Sequence, residues 1–126
     1  MTIERRKHTR FLTKDNAFAA IRNDLMKVGK INDISISGLG FSFLSEYTQI
    51  DSADHHTHAD IFCSKNGFHL SKVACRIVYE IPDPSPDKGY LVRMSRCGLQ
   101  FEEINRSQSE QLKLFIENYT TGTLNE

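Results

Sequence analysis

Three arginines crowd the N-terminal segment of this 126-residue chain, where Arg5 and Arg6 are followed by Arg10. The α-carbons of Arg6 and Arg10 lie up to about 13 Å apart if the segment is extended, or about 6 Å apart if it forms one helical turn. A guanidinium group donates paired hydrogen bonds to a phosphate or to the O6 and N7 edge of guanine, and its flat face stacks on a base. The segment is therefore a candidate phosphate or purine site, although a basic tail that only increases solubility would have the same composition.

A second group of polar residues lies at the end of a predicted strand, in the run DISISG that begins at Asp33. Side chains alternate between the two faces of a strand, so Asp33 and Ser35 are predicted to share the outer face. A carboxylate accepts hydrogen bonds from the Watson–Crick edge of guanine, a hydroxyl group binds phosphate, and Gly38 permits close approach of a backbone. A solvent-facing strand that ends in a turn contains the same residue types, so this pattern alone leaves both interpretations open.

The charge of the chain is zero overall but unevenly distributed. Lys and Arg together number 16, as do Asp and Glu. Residues 1–30 contain eight basic and three acidic residues, and the rest of the chain is acidic by the same excess of five. This polarity favours an anionic partner near the N-terminus, although solvated basic side chains would give the same count.

Length and composition, with 39% hydrophobic and 25% charged residues, are those of one globular domain. No apolar stretch approaches the ~20 residues that a membrane-spanning helix needs, and no signal peptide is recognisable, so we expect a cytoplasmic protein. The cysteines fall in strand-like segments and are expected to be buried free thiols: Cys63, Cys75 and Cys97.

Most of the chain has the two-residue periodicity of half-buried strands, which are predicted near residues 17–23, 27–33, 34–43, 59–64, 68–81 and 90–101. The phase of the alternation changes across Ser37-Gly38, near Ser71-Lys72 and between Met94 and Cys97, and each change requires a bulge or a tight bend. About six short strands with repeated phase changes indicate a small, curved antiparallel barrel rather than a flat sheet.

The alternation also predicts which side chains face the core. Ile34 and Ile36 are predicted to share one face, and a second set shares a face in the shifted phase: Leu39, Phe41 and Phe43. In the strand at residues 68–81, one face is predicted to carry five side chains: Val73, Cys75, Ile77, Tyr79 and Ile81.

One segment has the pattern of a helix. Ser107 and Glu110 have the spacing of a capping box, and four apolar residues follow on one helical face: Leu112, Phe115, Ile116 and Tyr119. We expect this helix, residues 107–119, to cover an end or face of the barrel. Residues 120–126 show no periodicity and are expected to form a frayed tail.

The two polar motifs together resemble those of the PilZ domain, a receptor family for the bacterial second messenger cyclic di-GMP. The family pattern is Arg-x-x-x-Arg near the N-terminus of the domain, followed further along the chain by Asp/Asn-x-Ser-x-x-Gly. Arg6 and Arg10 match the first motif, and Asp33, Ser35 and Gly38 match the second. The resemblance covers residues from about 4 to 119 and implies a mainly β fold, a six-stranded antiparallel PilZ-type β-barrel with a C-terminal α-helix.

The resemblance also implies roles for these residues. Arg6 and Arg10 would hold the guanine edges and phosphates, Asp33 and Ser35 would line the opposite wall of the site, and Gly38 would shape the end of the strand. The implied organisation is a single PilZ domain over residues 1–126, with a mobile ligand-binding segment at about 1–11, a barrel at about 12–104, a helix at 107–119 and a tail at 120–126.

The position before the first motif arginine influences whether members of this family bind one ligand or a stacked pair. Arg5 occupies that position, and because an additional guanidinium group favours the pair, we expect two ligands per chain. Arg93 and Arg96 are either further phosphate contacts or ordinary surface charges.

The implied mechanism involves no reaction, and no catalytic residue, cofactor or metal site is expected. Binding of cyclic di-GMP would order the N-terminal segment and create a surface that an unidentified downstream protein effector recognises, because the chain leaves no room for an output domain. Whether the chain forms a homodimer is left open by the sequence.

Alternative functions are a PilZ-fold protein adaptor with weak or no nucleotide binding and a basic nucleic-acid-binding module. Adaptor members typically lack the motif arginines present here, and the sequence contains no RNA-binding aromatic motif, recognition helix or zinc finger. An enzyme is not expected, since no nucleophile elbow, phosphate-binding glycine loop or HExxH motif is present. The histidines near residues 55–58 lie in or beside an expected exposed loop at 52–57, with no second cluster to complete a metal site.

Overall fold

The computed structural model describes residues 8–22, 26–46, 55–65, 67–82 and 92–124, which form eight strands and one helix. The strands are β1 (Phe11–Thr13), β2 (Ala17–Arg22), β3 (Met26–Ser35), β4 (Gly38–Glu46), β5 (His55–Cys63), β6 (His69–Pro82), β7 (Val92–Phe101) and β8 (Thr120–Thr123). The helix, α1 (Arg106–Tyr119), lies between β7 and β8 in the chain.

Six strands close into an antiparallel barrel in the order β2-β3-β4-β7-β6-β5, with β5 returning to β2. The ten-residue strand β3 is shared, because its first half pairs with β2 and its last residues pair with β1. β1 and β8 extend the sheet outside the closed barrel, and β8 is its edge. The predicted fold, a mainly β chain with a six-stranded antiparallel barrel and a C-terminal helix, is confirmed.

The inward-facing side chains of the barrel form one hydrophobic core. On β4 the predicted core face is confirmed, since the exposed fractions of its three members are 0%, 0% and 3%: Leu39, Phe41 and Phe43. The three cysteines are free and buried, as predicted. Burial, with a smaller contribution from the charge of Glu102, raises the pKa of the Cys75 thiol to about 12, so this side chain packs as a small uncharged group.

A β-bulge in β3 reverses the direction of its side chains. The register passes from Ile31 opposite Phe41 to Asp33 opposite Gly40, which leaves Asn32 as the extra residue. Ile31 and Ile34 are therefore both fully buried although they are three residues apart. The alternation thereafter places Asp33 on the outer face of the sheet.

A second bulge, in β6, corrects the sequence-based prediction for that strand. Ile77 pairs with Leu99 and Tyr79 with Gly98, so Val78 is the extra residue. Val73, Cys75 and Ile77 face the core as predicted, but the prediction for the last two members of the set was wrong: Tyr79 and Ile81 are 38% and 54% exposed. The bulge shifts the alternation by one residue, and the side chain of Glu80 turns inward instead.

The first two predicted phase changes correspond to a turn and a third bulge, whereas the one between Met94 and Cys97 was wrong, since β7 pairs with β4 without a register shift and Met94 is 41% exposed. Ile36 and Ser37 form the turn between β3 and β4, and Ile36 is 44% exposed, so the prediction that it shares the core face of Ile34 was wrong. Near Ser71-Lys72 the predicted change is confirmed as a bulge in which Lys72 has φ of 55°.

The helix α1 packs against the end of the barrel through one apolar face. Leu112 and Phe115 are buried, and the rings of Phe115 and Tyr119 lie 5.3 and 5.6 Å from that of Phe68. The capping box is made by Asn105 and Gln108 rather than by the predicted Ser107 and Glu110, because the chain enters the helix earlier. In the described part of the chain, no helix is long and apolar enough to cross a membrane.

The prediction of a frayed tail at residues 120–126 was wrong for Thr120–Thr123, which form β8 and pair with β1. Periodicity reports the burial of side chains, and those of β8 are half-buried or exposed. The strand is held by backbone hydrogen bonds instead, which leave no pattern in the sequence.

Candidate ligand-binding site

The pairing of β1 with β3 brings the two predicted motifs together on the outside of the barrel. Leu12 lies opposite Asp33, and Arg10 precedes Leu12 by two residues, so its side chain extends on the same face. Nη1 of Arg10 donates a hydrogen bond to Oδ1 of Asp33. The two side chains are 22% and 19% exposed, so the ion pair is partly shielded but open to solvent.

Gly40 lies beneath this ion pair, directly opposite Asp33 in the β3–β4 register. A β-carbon built at Gly40 would lie 3.4 Å from Oδ2 of Asp33 and 3.5 Å from the hydroxyl oxygen of Tyr79. The carboxylate and the phenol therefore converge above one point of the β4 backbone. Hydrogen-bond acceptors and a donor meet there, next to a guanidinium group.

Tyr79 is the aromatic component of the site. The bulge at Val78 turns it outward, and its ring lies against Gly98, where a β-carbon would come within 2.1 Å of the ring. Burial, followed by the negative charge of Asp33, raises the pKa of the Tyr79 hydroxyl, whereas Arg10 and Arg96 act in the opposite direction. The Tyr79 hydroxyl is thus a neutral hydrogen-bond donor at physiological pH, and the ring that carries it is flat.

Arg96 belongs to the same surface. It lies on β7 two residues before Gly98, opposite Ile81, and its side chain is exposed. Its positive charge lowers the pKa of the Tyr79 hydroxyl, as that of Arg10 does. Arg10 and Arg96 therefore both place positive charge near the Tyr79 hydroxyl.

Ser35 and Gly38 shape the strand end rather than the open surface. Ser35 is 1% exposed, and its hydroxyl oxygen accepts a hydrogen bond from the Ser37 N–H at 3.1 Å, which stabilises the turn. A β-carbon at Gly38 would lie 2.2 Å from the Leu99 carbonyl oxygen, so only glycine allows β4 to approach β7 at this point. Contact between either residue and a ligand remains a prediction.

The structure does not describe the remaining predicted arginines. Arg5 and Arg6 lie outside the described residues, as does the side chain of Arg93. Of the predicted site residues, the structure brings Arg10 and Asp33 into contact and places Ser35 and Gly38 at the adjoining turn.

Sequence reasoning missed Tyr79, Gly40 and Gly98. Tyr79 was assigned to the core because strict alternation ignores the bulge at Val78. The two glycines carried a usable signal, since glycine inside a strand marks a place where another group approaches the backbone closely. Here the approaching groups are the Asp33 carboxylate and the Tyr79 ring.

The histidine-rich segment belongs to β5. The expected loop at residues 52–57 was wrong for 55–57, which are in the strand, and residues 52–54 lie outside the described residues. Nδ1 of His56 is 2.8 Å from a Glu102 carboxylate oxygen. Within the described ranges, no three His, Cys, Asp or Glu side chains are grouped closely enough to hold a metal ion.

A family model for the PilZ domain matches residues 4–118 of the chain. The chain belongs to the PilZ family. No curated protein sequence matches it significantly.

Solved PilZ structures share the fold. The PilZ domain of YcgR from Escherichia coli with c-di-GMP superimposes with a TM-score of 0.72 at 12% identity, over 92% of both chains. Escherichia coli YcgR in complex with c-di-GMP (TM-score 0.69, 12% identity) is matched over 91% of this chain and 46% of that one. The K. pneumonia MrkH–c-di-GMP complex (TM-score 0.69, 14% identity) is matched over 93% and 53%. This chain therefore spans about half the length of the latter two.

Proposed function

We propose that this PilZ domain binds cyclic di-GMP on the outer surface formed by Arg10, Asp33 and Tyr79, together with Arg5 and Arg6 of the preceding segment. The observation that carries the proposal is the ion pair between Arg10 and Asp33. These residues come from two motifs that are far apart in the chain, and the fold places them side by side where solvent reaches them. The c-di-GMP complexes of the similar structures support the same ligand class.

The chemistry of the three groups suits a guanine dinucleotide. The Asp33 carboxylate accepts hydrogen bonds from the N1–H and the amino group of guanine, which adenine does not offer in the same arrangement. Arg10 offers paired donors to a phosphate or to O6 and N7, and the Tyr79 ring offers a stacking surface. Arg96 adds positive charge for a ligand with two phosphates.

Ligand binding and the Arg10–Asp33 ion pair compete for the same polar atoms. A phosphate or a guanine edge replaces part of the contact that each side chain makes with the other, so the net gain depends on additional groups closing over the ligand. Arg5 and Arg6 supply such groups in this proposal, and Ser35 and Gly38 hold the strand end against which they close. Arg5 also favours two stacked ligands per chain.

The role of the domain in this proposal is a receptor without catalysis. Cyclic di-GMP orders the basic N-terminal segment, and the surface so formed is recognised by a downstream protein effector. The ligand stabilises the ordered segment relative to the open one and so raises the affinity for an effector that binds the ordered form. Because this coupling is reciprocal, the effector raises the affinity for the ligand by the same factor.

Isothermal titration calorimetry and thermal unfolding with cyclic di-GMP test this function, with GTP and cyclic di-AMP as controls. At a ligand concentration about 100 times Kd the expected stabilisation is about 2.7 kcal/mol for each independent site. We expect Arg6→Ala and Arg10→Ala each to reduce the affinity at least about 100-fold, since each removes charged hydrogen bonds.

Arg106→Ala is the matched control, because Arg106 is an exposed arginine on α1 that pairs with Glu110. It should bind like the unaltered chain. Unchanged binding by Arg10→Ala would contradict the proposed site, and one ligand per chain would remove the stacked pair. Indifference to cyclic di-GMP would favour the adaptor, or, if DNA bound with steep salt dependence, a nucleic-acid-binding module.

A further inference from the structure

The C-terminal strand β8 lies against the segment that carries Arg10. β8 pairs antiparallel with β1, with Phe11 opposite Thr123 and Leu12 opposite Gly122. The backbone N–H of Leu124 donates to the Arg10 carbonyl oxygen at 2.8 Å. The residue that directly follows β8 is therefore hydrogen-bonded to the backbone of the motif arginine.

β1 depends on neighbours because it is short. It has three residues, of which Phe11 and Leu12 pair with β3 on one side. The hydroxyl of Thr13 also donates to the Ile31 carbonyl oxygen on that side. On the other side β8 supplies the strand partner, and Lys14 N–H donates to the Tyr119 carbonyl oxygen at 2.9 Å. Without β8, the side of β1 that faces away from β3 would be an unpaired strand edge.

β8 contributes backbone bonds and almost no buried surface. Thr121, Gly122 and Thr123 are exposed, and the hydrophobic core contains no side chain from β8. Loss of β8 should therefore leave the barrel folded while it loosens the segment around Arg10. A stabilising role for the whole domain would instead require apolar burial, which this strand does not provide.

We infer that β8 is a positioning element of the ligand site, which holds the Arg10 backbone so that its guanidinium group stays beside Asp33. Docking of β8 and binding at Arg10 are then thermodynamically linked. A ligand that engages Arg10 stabilises β8 on β1, and release of β8 weakens the ligand by the same factor. The ligand side of this linkage rests on the proposed function, whereas the docking of β8 on Arg10 does not.

Leu124→Pro in the full chain is the sharpest test, because it removes the N–H that donates to Arg10 and nothing else from the backbone. Because the Leu124 N–H points at the Arg10 carbonyl oxygen, the proline ring also pushes against that oxygen and separates the two backbones, while the preceding residue stays extended. Leu124→Ala is the matched control, since it shortens the side chain and keeps the N–H. A chain ending at Tyr119 removes β8 completely.

Two readouts are needed. In the absence of ligand, amide hydrogen exchange at Phe11, Leu12 and Thr13 should accelerate at least about fivefold in Leu124→Pro, while strands of the barrel keep their protection. In calorimetry with cyclic di-GMP, the affinity should fall about 3- to 10-fold in Leu124→Pro and further in the shortened chain. Leu124→Ala should match the unaltered chain in both.

The outcomes separate the two proposals. If the unaltered chain binds cyclic di-GMP and Leu124→Pro binds it equally well, the positioning role of β8 is overturned and the proposed function stands. If the unaltered chain does not bind the ligand, the proposed function fails. Exchange at β1 then decides alone whether β8 holds the Arg10 segment, and unchanged exchange would overturn that as well.

Discussion

Two of the ion pairs in the described part of the chain differ in burial and, we argue, in purpose. Lys27 and Glu80 lie 2.6 Å apart with side chains only 5% and 1% exposed, and the Lys27 ammonium group sits 5.3 Å from the centre of the Phe43 ring. Arg10 and Asp33 meet on the outer face, at 22% and 19% exposure. A ligand has no access to the Lys27–Glu80 pair, whereas the Arg10–Asp33 pair is open to solvent and to a ligand.

Both carboxylates follow a β-bulge, but one bulge leaves its carboxylate on the outer face and the other turns its carboxylate inward. The bulge at Asn32 places Asp33 on the outer face, and the bulge at Val78 turns Glu80 inward while Tyr79 goes outward. A charge that is turned inward requires a partner, because desolvation without one costs several kcal/mol. A charge left at the surface can exchange its partner for a ligand at small cost to stability.

The largest expected effect is on the buried pair. Glu80→Ala leaves the Lys27 ammonium group buried without this carboxylate, and we expect the free energy of unfolding to fall by about 3–5 kcal/mol. Urea denaturation monitored by circular dichroism measures it. The double variant Lys27→Met/Glu80→Leu is the control and should recover most of the loss, because it removes both charges. A loss below about 1 kcal/mol in Glu80→Ala would erase the distinction between the two pairs.

The exposed pair should show the reverse balance. Asp33→Ala is expected to lower stability by less than about 1 kcal/mol and to weaken cyclic di-GMP binding by about 2 kcal/mol, roughly 30-fold. Urea denaturation and calorimetry on the same samples give both values. Asp15→Ala, which removes an exposed carboxylate paired with Lys30, should change neither. A stability loss as large as that of Glu80→Ala would mean that Asp33 is structural.

A smaller effect is expected at Tyr79. Tyr79→Leu removes the stacking surface and should cost about 1 kcal/mol of binding free energy, roughly fivefold in Kd. Tyr79→Phe keeps the ring and should bind more tightly than Tyr79→Leu. Gly98→Ala should resemble Tyr79→Leu, since its β-carbon would occupy the position of the ring. Equal affinity in all four proteins would show that the ring does not touch the ligand.

The smallest effect is a shift in the titration of Tyr79, whose pKa is raised by burial and then by Asp33. Asp33→Asn should lower this pKa, as followed by phenolate absorbance with Tyr79→Phe subtracted. Because the folded protein retains a proton that the unfolded chain releases from about pH 10, the contribution of Tyr79 to stability is present below pH 10 and falls as pH rises above it. An unchanged or higher pKa in Asp33→Asn would place the carboxylate too far away to act on the phenol.

Local patterns predicted much of the fold. The core face of β4, the bulge near Ser71-Lys72 and the buried cysteines follow from apolar alternation, because burial of side chains selects residue types directly. The barrel itself follows from the number of short strands and their phase changes. The motif arginines and the aspartate could be named from their spacing and from their resemblance to a family.

The parts that could not be predicted depend on partners distant in the chain. The bulge at Val78 exists because β6 must keep register with β7, where Gly98 makes room for the Tyr79 ring. The sequence of residues 68–81 alone does not predict that the alternation of buried side chains stops at Ile77. The inward turn of Glu80 and its pairing with Lys27 follow from the same event.

The sequence alone therefore predicts the chemical groups of the candidate site, which are a guanidinium motif and a carboxylate motif on a small β-barrel. The contact of Arg10 with Asp33, the position of Tyr79 beside them and the pairing of residues 120–123 with β1 depend on the three-dimensional fold. The reason is that sequence periodicity records which side chains are buried. Strand register depends on backbone hydrogen bonds between distant segments. Almost every residue carries the same backbone groups, so no residue type predicts these bonds.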